Sequence, residues 1–221
     1  ILWVDSELLE QNEPECYLKD ADAIIVPGGF GKRGTLGKIK AITYAREHQI
    51  PFLGICFGMQ MAVIETMRNV AGVDNADTTE FNADCTPVVG LMHEWQKDGK
   101  TEQRSEDGDL GGTMRLGAYP CVLKEGSKVR QIYGTDHISE RHRHRYEVNT
   151  NYEDVLEKSG MRIVGKSPDG KLPEIVERTN HPWFIGVQFH PELKSKPFAA
   201  HPLFVDLIKT ALKLRCENSE K

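Results

Sequence analysis

The stretch Pro51-Phe52-Leu53-Gly54-Ile55-Cys56-Phe57-Gly58-Met59-Gln60 decides the fold. Phe52 to Ile55 is an apolar run of strand length, and from Met59 a helical period takes over. Met59, Ala62, Val63, Met67 and Val70 recur at steps of three and four residues, which marks one buried helix face. Between strand and helix stands a cysteine with glycines two residues to either side. That is the nucleophile-elbow spacing, with sulfur in place of the serine oxygen. A nucleophile on so sharp a turn has strained backbone angles, and small neighbours let the chain fold back without a clash. The turn also sets the thiol at the positive end of a helix, which favours the thiolate. Cys56 is therefore the candidate nucleophile.

Outward from the elbow, strand and helix alternate. Ile1-Leu2-Trp3-Val4 and Ala23-Ile24-Ile25-Val26 read as strands, Ser6 to Asp20 as a short helix and loop, and 37–48 as a helix. Such alternation predicts a parallel sheet covered by helices on both faces. Beyond Gly72 the pattern predicts short strands at 88–91, 129–133, 145–148, 161–165, 174–177 and 184–189. A closing helix spans 203–214.

At 221 residues, with 39% hydrophobic and 28% charged residues, the chain suffices for one α/β domain. The net charge of -5 argues against a nucleic-acid groove or an anionic membrane surface, and no apolar run is long enough to span a bilayer. Five widely spaced cysteines without a C-x-x-C pair fit free thiols in a reducing cytoplasm and no zinc site.

A thiol nucleophile needs a base, and the base needs an orienting group. His190-Pro191-Glu192 follows the strand 184–189, at the sheet edge where open α/β sheets build their sites. Glu192 is spaced to turn back onto the imidazole and fix its tautomer. The run from Gly29 to Gly34 matches G-x-G-x-x-G after a strand, but the next strand ends at Cys56 and supplies no ribose-binding acid. The Gly28-Gly29 pair is better read as half of an oxyanion hole, completed by the Phe57 N–H. Arg141-His142-Arg143-His144-Arg145 puts both histidines on one strand face without a third metal ligand. It reads equally as a solvated basic edge and as a reader of carboxylate or phosphate.

From Gln96 to Asp109 there is no aliphatic or aromatic residue, and eight of fourteen are charged. The composition fits a solvated loop or a mobile lid. As a lid it would hinge at Gly111-Gly112 and offer Arg104 and Arg115 to a phosphate.

Together, Pro27–Gly31, Gly54–Gln60 and Gln188–Glu192 resemble the class I (triad) glutamine amidotransferases. Thr79-Glu80-Phe81, Gly111–Gly117 and Glu140–Glu147 narrow the resemblance to the glutaminase domains of the CTP synthase family. The resemblance runs from about residue 1 to 214. It implies a flavodoxin-like three-layer α/β sandwich with a largely parallel central sheet and added short strands. The domain would span 1–215, lack the family's first strand and helix, and be followed by a polar tail at 216–221. Loss of that first strand would leave an unpaired sheet edge. The resemblance implies Cys56, His190 and Glu192 as triad, and Gly29 with Phe57 as oxyanion hole. Glutamine would be held by Gly29, the turn Phe57, Gly58, Met59 and Gln60, and by Glu80 and Arg145. Phe57 departs from the leucine usual in the family. The domain itself needs no metal or other cofactor. ATP, Mg and UTP belong to a synthase (amidoligase) domain outside this chain, with GTP as allosteric activator and a homotetramer as assembly. A non-catalytic assembly module is the rival from another class. Service to a different synthetase is the rival within it, disfavoured by the Glu140–Glu147 and Gly111–Gly117 stretches.

Overall fold

The structure is a computed structural model that describes residues 1–91 and 114–219. Helices α1 (Ser6–Gln11) and α2 (Glu15–Leu18) precede β1 (Ile24–Val26), α3 (Thr35–Glu47), β2 (Phe52–Ile55) and α4 (Phe57–Asn69). Then come β3 (Ala76–Thr78), β4 (Thr86–Leu91), β5 (Arg115–Leu123), α5 (Lys128–Tyr133), β6 (His137–His144) and β7 (Tyr146–Val148). The chain continues through α6 (Glu153–Lys158), β8 (Met161–Lys166), β9 (Pro173–Arg178) and β10 (Phe184–Val187) to α7 (Pro202–Ser219).

Among the described residues, seven strands form the main sheet in the order β1-β2-β10-β9-β8-β5-β6. The three strands that carry the elbow and its partner, β1, β2 and β10, are parallel, and the sheet continues from β10 through antiparallel neighbours. Alternate residues feed two cores, as a period of two demands. Phe52, Phe184 and Val176 face α3, α4 and α6, while Leu53, Ile185 and Ile175 face Val129 of α5 and Leu203 of α7. This is the three-layer α/β sandwich expected. A second sheet, β3-β4-β7, supports the β6–β7 corner.

Helix α4 is buried on every side from Phe57 to Met67, so it serves as the central spar between the sheets. Its one buried carboxylate, Glu65, bonds Arg46 of α3 at 2.9 Å.

Three expectations need correction. Residues 1–4 form no strand: Ile1, Leu2 and Trp3 are exposed, because a strand needs a ladder partner and none pairs with them in either sheet. Residues 129–133 are helical. Val129, Ile132 and Tyr133 sit at helical spacing, Ser127 caps the first turn by accepting from the Arg130 N–H, and Gly134 ends it in a left-handed conformation. Finally, the closing helix expected over 203–214 extends as α7 to Ser219, because no glycine or proline follows Pro202 to stop it.

Candidate active site

The elbow is built as its spacing demands. Cys56 has φ 52° and ψ -101°, one of two non-glycine residues with positive φ among those described. The turn closes so tightly that a β-carbon on Gly54 would lie 2.7 Å from the Gly58 carbonyl carbon, and one on Gly58 only 2.1 Å from the Val26 oxygen. Glycine is thus required on both sides by backbone, which cannot move aside. The Cys56 N–H donates to the Val187 oxygen at 2.6 Å, tying the elbow to the end of β10. Phe57 opens α4, where the first N–H groups of a helix have no partner within it. Its ring packs edge-on to Phe81 at 6.0 Å and under the Lys38 ammonium, so the phenylalanine at this position is accommodated in a buried wall.

His190 comes to the same edge from β10. Its N–H donates to the Arg141 oxygen at 2.8 Å, and Pro191 starts a single 3₁₀ turn that folds Glu192 back. The Glu192 carboxylate then meets His190 Nδ1 at 2.6 Å. The far nitrogen, Nε2, is buried without an aligned hydrogen-bond partner, and the Cys56 sulfur is its electrostatic neighbour. Contact with Cys56, then with Glu192, raises the imidazole pKa to about 10 against the opposing effect of burial. Partial burial works against the Glu192 anion, but the bond from His190, a bond from its own backbone N–H and the nearby His190 and His201 charges together hold the carboxyl below its ordinary range.

Gly28 marks the gap between Cys56 and His190. A β-carbon there would fall 2.8 Å from His190 Cε1 and 3.7 Å from Cys56 Cβ, so any side chain would wedge the pair apart. Gly29 lies beside the Phe57 ring, its added β-carbon 3.7 Å from Cδ1. Glu80 accepts from the Gly31 N–H at 2.8 Å and thereby ties down the glycine loop. Arg145 is half-buried in the one-residue link between β6 and β7. Met59 and Gln60 turn their side chains inward. The Gln60 amide donates to the Tyr146 oxygen at 3.0 Å and to Gln188 Oε1 at 3.2 Å, so what this turn offers a ligand is backbone.

Two features went unread in the sequence. Gln188, fully buried, directs its amide at the Cys56 sulfur from 3.7 Å; a lone glutamine inside the apolar run 184–189 was the available signal. The buried role of Arg115, which the sequence places in a lid, is the other, and here the lid expectation is corrected. Its guanidinium is buried against Glu174 at 2.8 Å and Glu147 at 3.3 Å and stacks over Tyr119. It is committed inside the fold and cannot serve a nucleotide phosphate. Arg104, Gly111 and Gly112 lie outside the described residues.

A strained cysteine between a parallel strand and a buried helix, faced by a carboxylate-oriented histidine, has the arrangement that cysteine-dependent acyl transfer requires. The family model for class I glutamine amidotransferases matches residues 1–210, and the chain belongs to that family. Among its curated relatives, the chain is 61% identical over 215 residues to the CTP synthase of Zymomonas mobilis, covering 96% of this chain and 40% of the relative. The CTP synthase of Paramagnetospirillum magneticum is 60% identical over 211 residues, covering 96% of this chain and 39% of the relative. This chain thus spans about two fifths of the length of these relatives. Among solved structures, the glutaminase domain of Trypanosoma brucei CTPS with bound acivicin superposes with a TM-score of 0.82 at 37% identity, covering 96% of this chain and 80% of that one. A glutamine amidotransferase from Thermotoga maritima shares the fold, with a TM-score of 0.50 at 15% identity, covering 93% of this chain and 83% of that one.

Proposed function

We propose that this chain hydrolyses L-glutamine to glutamate and ammonia, and that the ammonia serves ATP-dependent amination of UTP to CTP. The observation that carries the reading is the juxtaposition of a backbone-strained Cys56 with the His190–Glu192 pair. With its raised pKa, His190 already holds the thiol proton on Nε2, and the Cys56 sulfur attacks the side-chain amide carbon of glutamine. The N–H groups of Gly29 and Phe57 receive the developing oxyanion. Ammonia departs with a proton from His190, leaving a thioester. Water, deprotonated by the same imidazole, cleaves the thioester to glutamate and returns the thiol. Glu192 keeps Nδ1 protonated throughout, so that Nε2 faces the sulfur in the competent tautomer.

Free glutamine carries an α-ammonium and an α-carboxylate, so a selective pocket needs one fixed anion and one fixed cation. Glu80 and Arg145 fill these roles, with Gly29 and the backbone of Phe57, Gly58, Met59 and Gln60 lining the amide end. The amination would take place on a synthase domain of the same full-length protein, using ATP and Mg. GTP would act as activator, and the assembly would be a cytoplasmic homotetramer. Identity of about 60% to two CTP synthases supports this pathway.

The test is Cys56→Ala in the full-length protein, treated with a glutamine-mimicking electrophile and read by intact mass. Labelling and glutamine hydrolysis should both vanish, while ammonia-dependent CTP formation survives. A variant that still labels, or still hydrolyses glutamine, removes Cys56 from the mechanism.

A further inference from the structure

Behind the active-site face, five buried side chains from four strands close into a ring. Arg115 bonds Glu174 and Glu147; Glu147 Oε1 lies 3.5 Å from His144 Nδ1; His144 Nε2 meets His142 Nδ1 at 2.9 Å; and His142 Nε2 returns to Glu174 Oε2 at 3.5 Å. All five residues are at least nine-tenths buried. None of them belongs to the proposed chemistry, yet the ring braces it on two sides. The carbonyl of Arg141, next to His142, accepts the His190 N–H, and Arg145 stands between His144 and Tyr146.

The protons on this ring can be counted. From Glu174 through His142 and His144 to the acceptors beyond, there are three links, and each needs one proton. Two neutral imidazoles supply one each. The Tyr146 oxygen, 3.2 Å from His144 Nδ1, is purely an acceptor, so that nitrogen carries its proton. His144 Nε2 must then accept from His142 Nδ1–H, which leaves His142 Nε2 a bare lone pair facing Glu174 Oε2. Both atoms are buried without a hydrogen-bond partner, and 3.5 Å leaves no room for a water between them. Two acceptors do not sit face to face in a dry interior unless a proton lies on one of them. Charge leads to the same count: one guanidinium against two carboxylates leaves an excess negative charge, and a single added proton makes the ring neutral.

We propose that the ring holds one proton on Glu174 Oε2, donated to His142, and that the neutral ring positions His190 and Arg145. The second half rests on the function proposed above. Groups facing the ring agree with this placement. Arg115, Tyr119 and Cys121 come from β5, Glu140 from β6, Asp169 from the turn before β9, and His190 from beyond β10. Burial, then the Arg115 charge, keeps both histidines neutral, with His142 pushed down to about 2 and His144 to about 3. Burial also raises both carboxyls against the pull of Arg115, Glu147 to about 8, so burial does not choose between them; the unmet facing pair of His142 Nε2 and Glu174 Oε2 does. Raising the pH until the ring loses this proton places an uncompensated anion beneath β6.

The test compares Glu174→Gln with Glu174→Ala and Glu147→Gln in the full-length protein. Glutamine at 174 offers an N–H to His142 and a carbonyl to Arg115 without titrating. This variant should keep glutamine kcat/KM within about threefold of the parent at neutral pH and lose the alkaline decline. Glu174→Ala should lose about tenfold or more, in both kcat and KM. Infrared difference spectra should show a protonated-carboxyl band at neutral pH in the parent that disappears in Glu174→Gln. The proposal is overturned if that band is untouched by the substitution, or if Glu174→Gln is as damaged as Glu174→Ala. It is equally overturned if Glu147→Gln, and not Glu174→Gln, abolishes the alkaline decline. The infrared result does not depend on the assignment of Cys56, so failure of the glutaminase reading and failure of the ring are distinguishable.

Discussion

Replacing Arg115 by methionine separates two accounts of this residue. The side chain is 11% exposed, with the partner carboxylates of Glu174 and Glu147 at 0% and 2%. Methionine keeps much of the stem volume, so packing alone should cost under about 1.5 kcal/mol. Removing the charge is the larger effect, because two carboxyls are left buried without their cation, and breaking such a pair costs roughly 3–5 kcal/mol. Both carboxyls must then be neutral to stay inside. A carboxyl whose folded pKa is raised contributes stability below its unfolded value of 4.5, and loses it as pH rises toward the folded value, about 8 for Glu147 even with Arg115 present. The deficit of the variant should therefore be smallest near pH 5 and grow by about 1.4 kcal/mol per pH unit for each additional proton retained. The assay is amide-exchange protection of β5 and β6 in the full-length protein, corrected for intrinsic rates, at several pH values. A residue reaching out to a nucleotide would behave differently. Strand protection would be unchanged within about 1 kcal/mol, and only nucleotide activation would fall. That outcome would refute the buried-cation reading.

Three other perturbations test separate parts of the site. Gly58→Ala pushes a β-carbon to 2.1 Å from the Val26 oxygen, so a loss of about 3 kcal/mol or more in denaturant unfolding is expected; a near-normal midpoint would contradict the geometry of the elbow. His190 has a folded pKa raised to about 10 from 6.5, so its stabilising contribution is complete below pH 6.5 and disappears as pH climbs through the folded value. Because Cys56 is the leading cause, Cys56→Ala should lower the His190 titration midpoint seen by NMR, and an unmoved midpoint would disprove the pairing. Arg145→Ala should raise the glutamine KM by about ten- to a hundredfold, the equivalent of roughly 1.5–3 kcal/mol for one charge-assisted bond to a carboxylate, with kcat little changed. An unaltered KM would take Arg145 out of the pocket.

The elbow was legible in the sequence because its requirements are local. Gly54, Cys56 and Gly58 lie within five residues; Gly54 answers to backbone of the same turn, and Gly58 to the Val26 carbonyl at the end of the neighbouring strand β1. His190 and Glu192 were legible for a similar reason, since Pro191 and a two-residue spacing suffice to fold the carboxylate back. Failures came where a segment's state depends on something distant. Residues 1–4 have strand composition, but composition does not supply a ladder partner. Residues 129–133 are too short for period to outweigh β-branched content, and the caps at Ser127 and Gly134 were the better signal.

The histidine strand shows where local reading stops. Alternation along Arg141–Arg145 correctly puts His142 and His144 on one face and Arg141 and Arg143 on the other. Nothing in that pattern says which face is interior, since both are polar. The interior face becomes tolerable only because Arg115, Glu147 and Glu174 converge on it from three other strands, the two acids lying 32 and 59 residues from Arg115. Each of these residues alone reads as surface charge. Burial is favourable only for the whole set, since any one member left inside without the others would be an uncompensated charge or an unmet lone pair. A strand that looks like a solvated basic edge is, for that reason, the polar floor on which His190 and Arg145 stand.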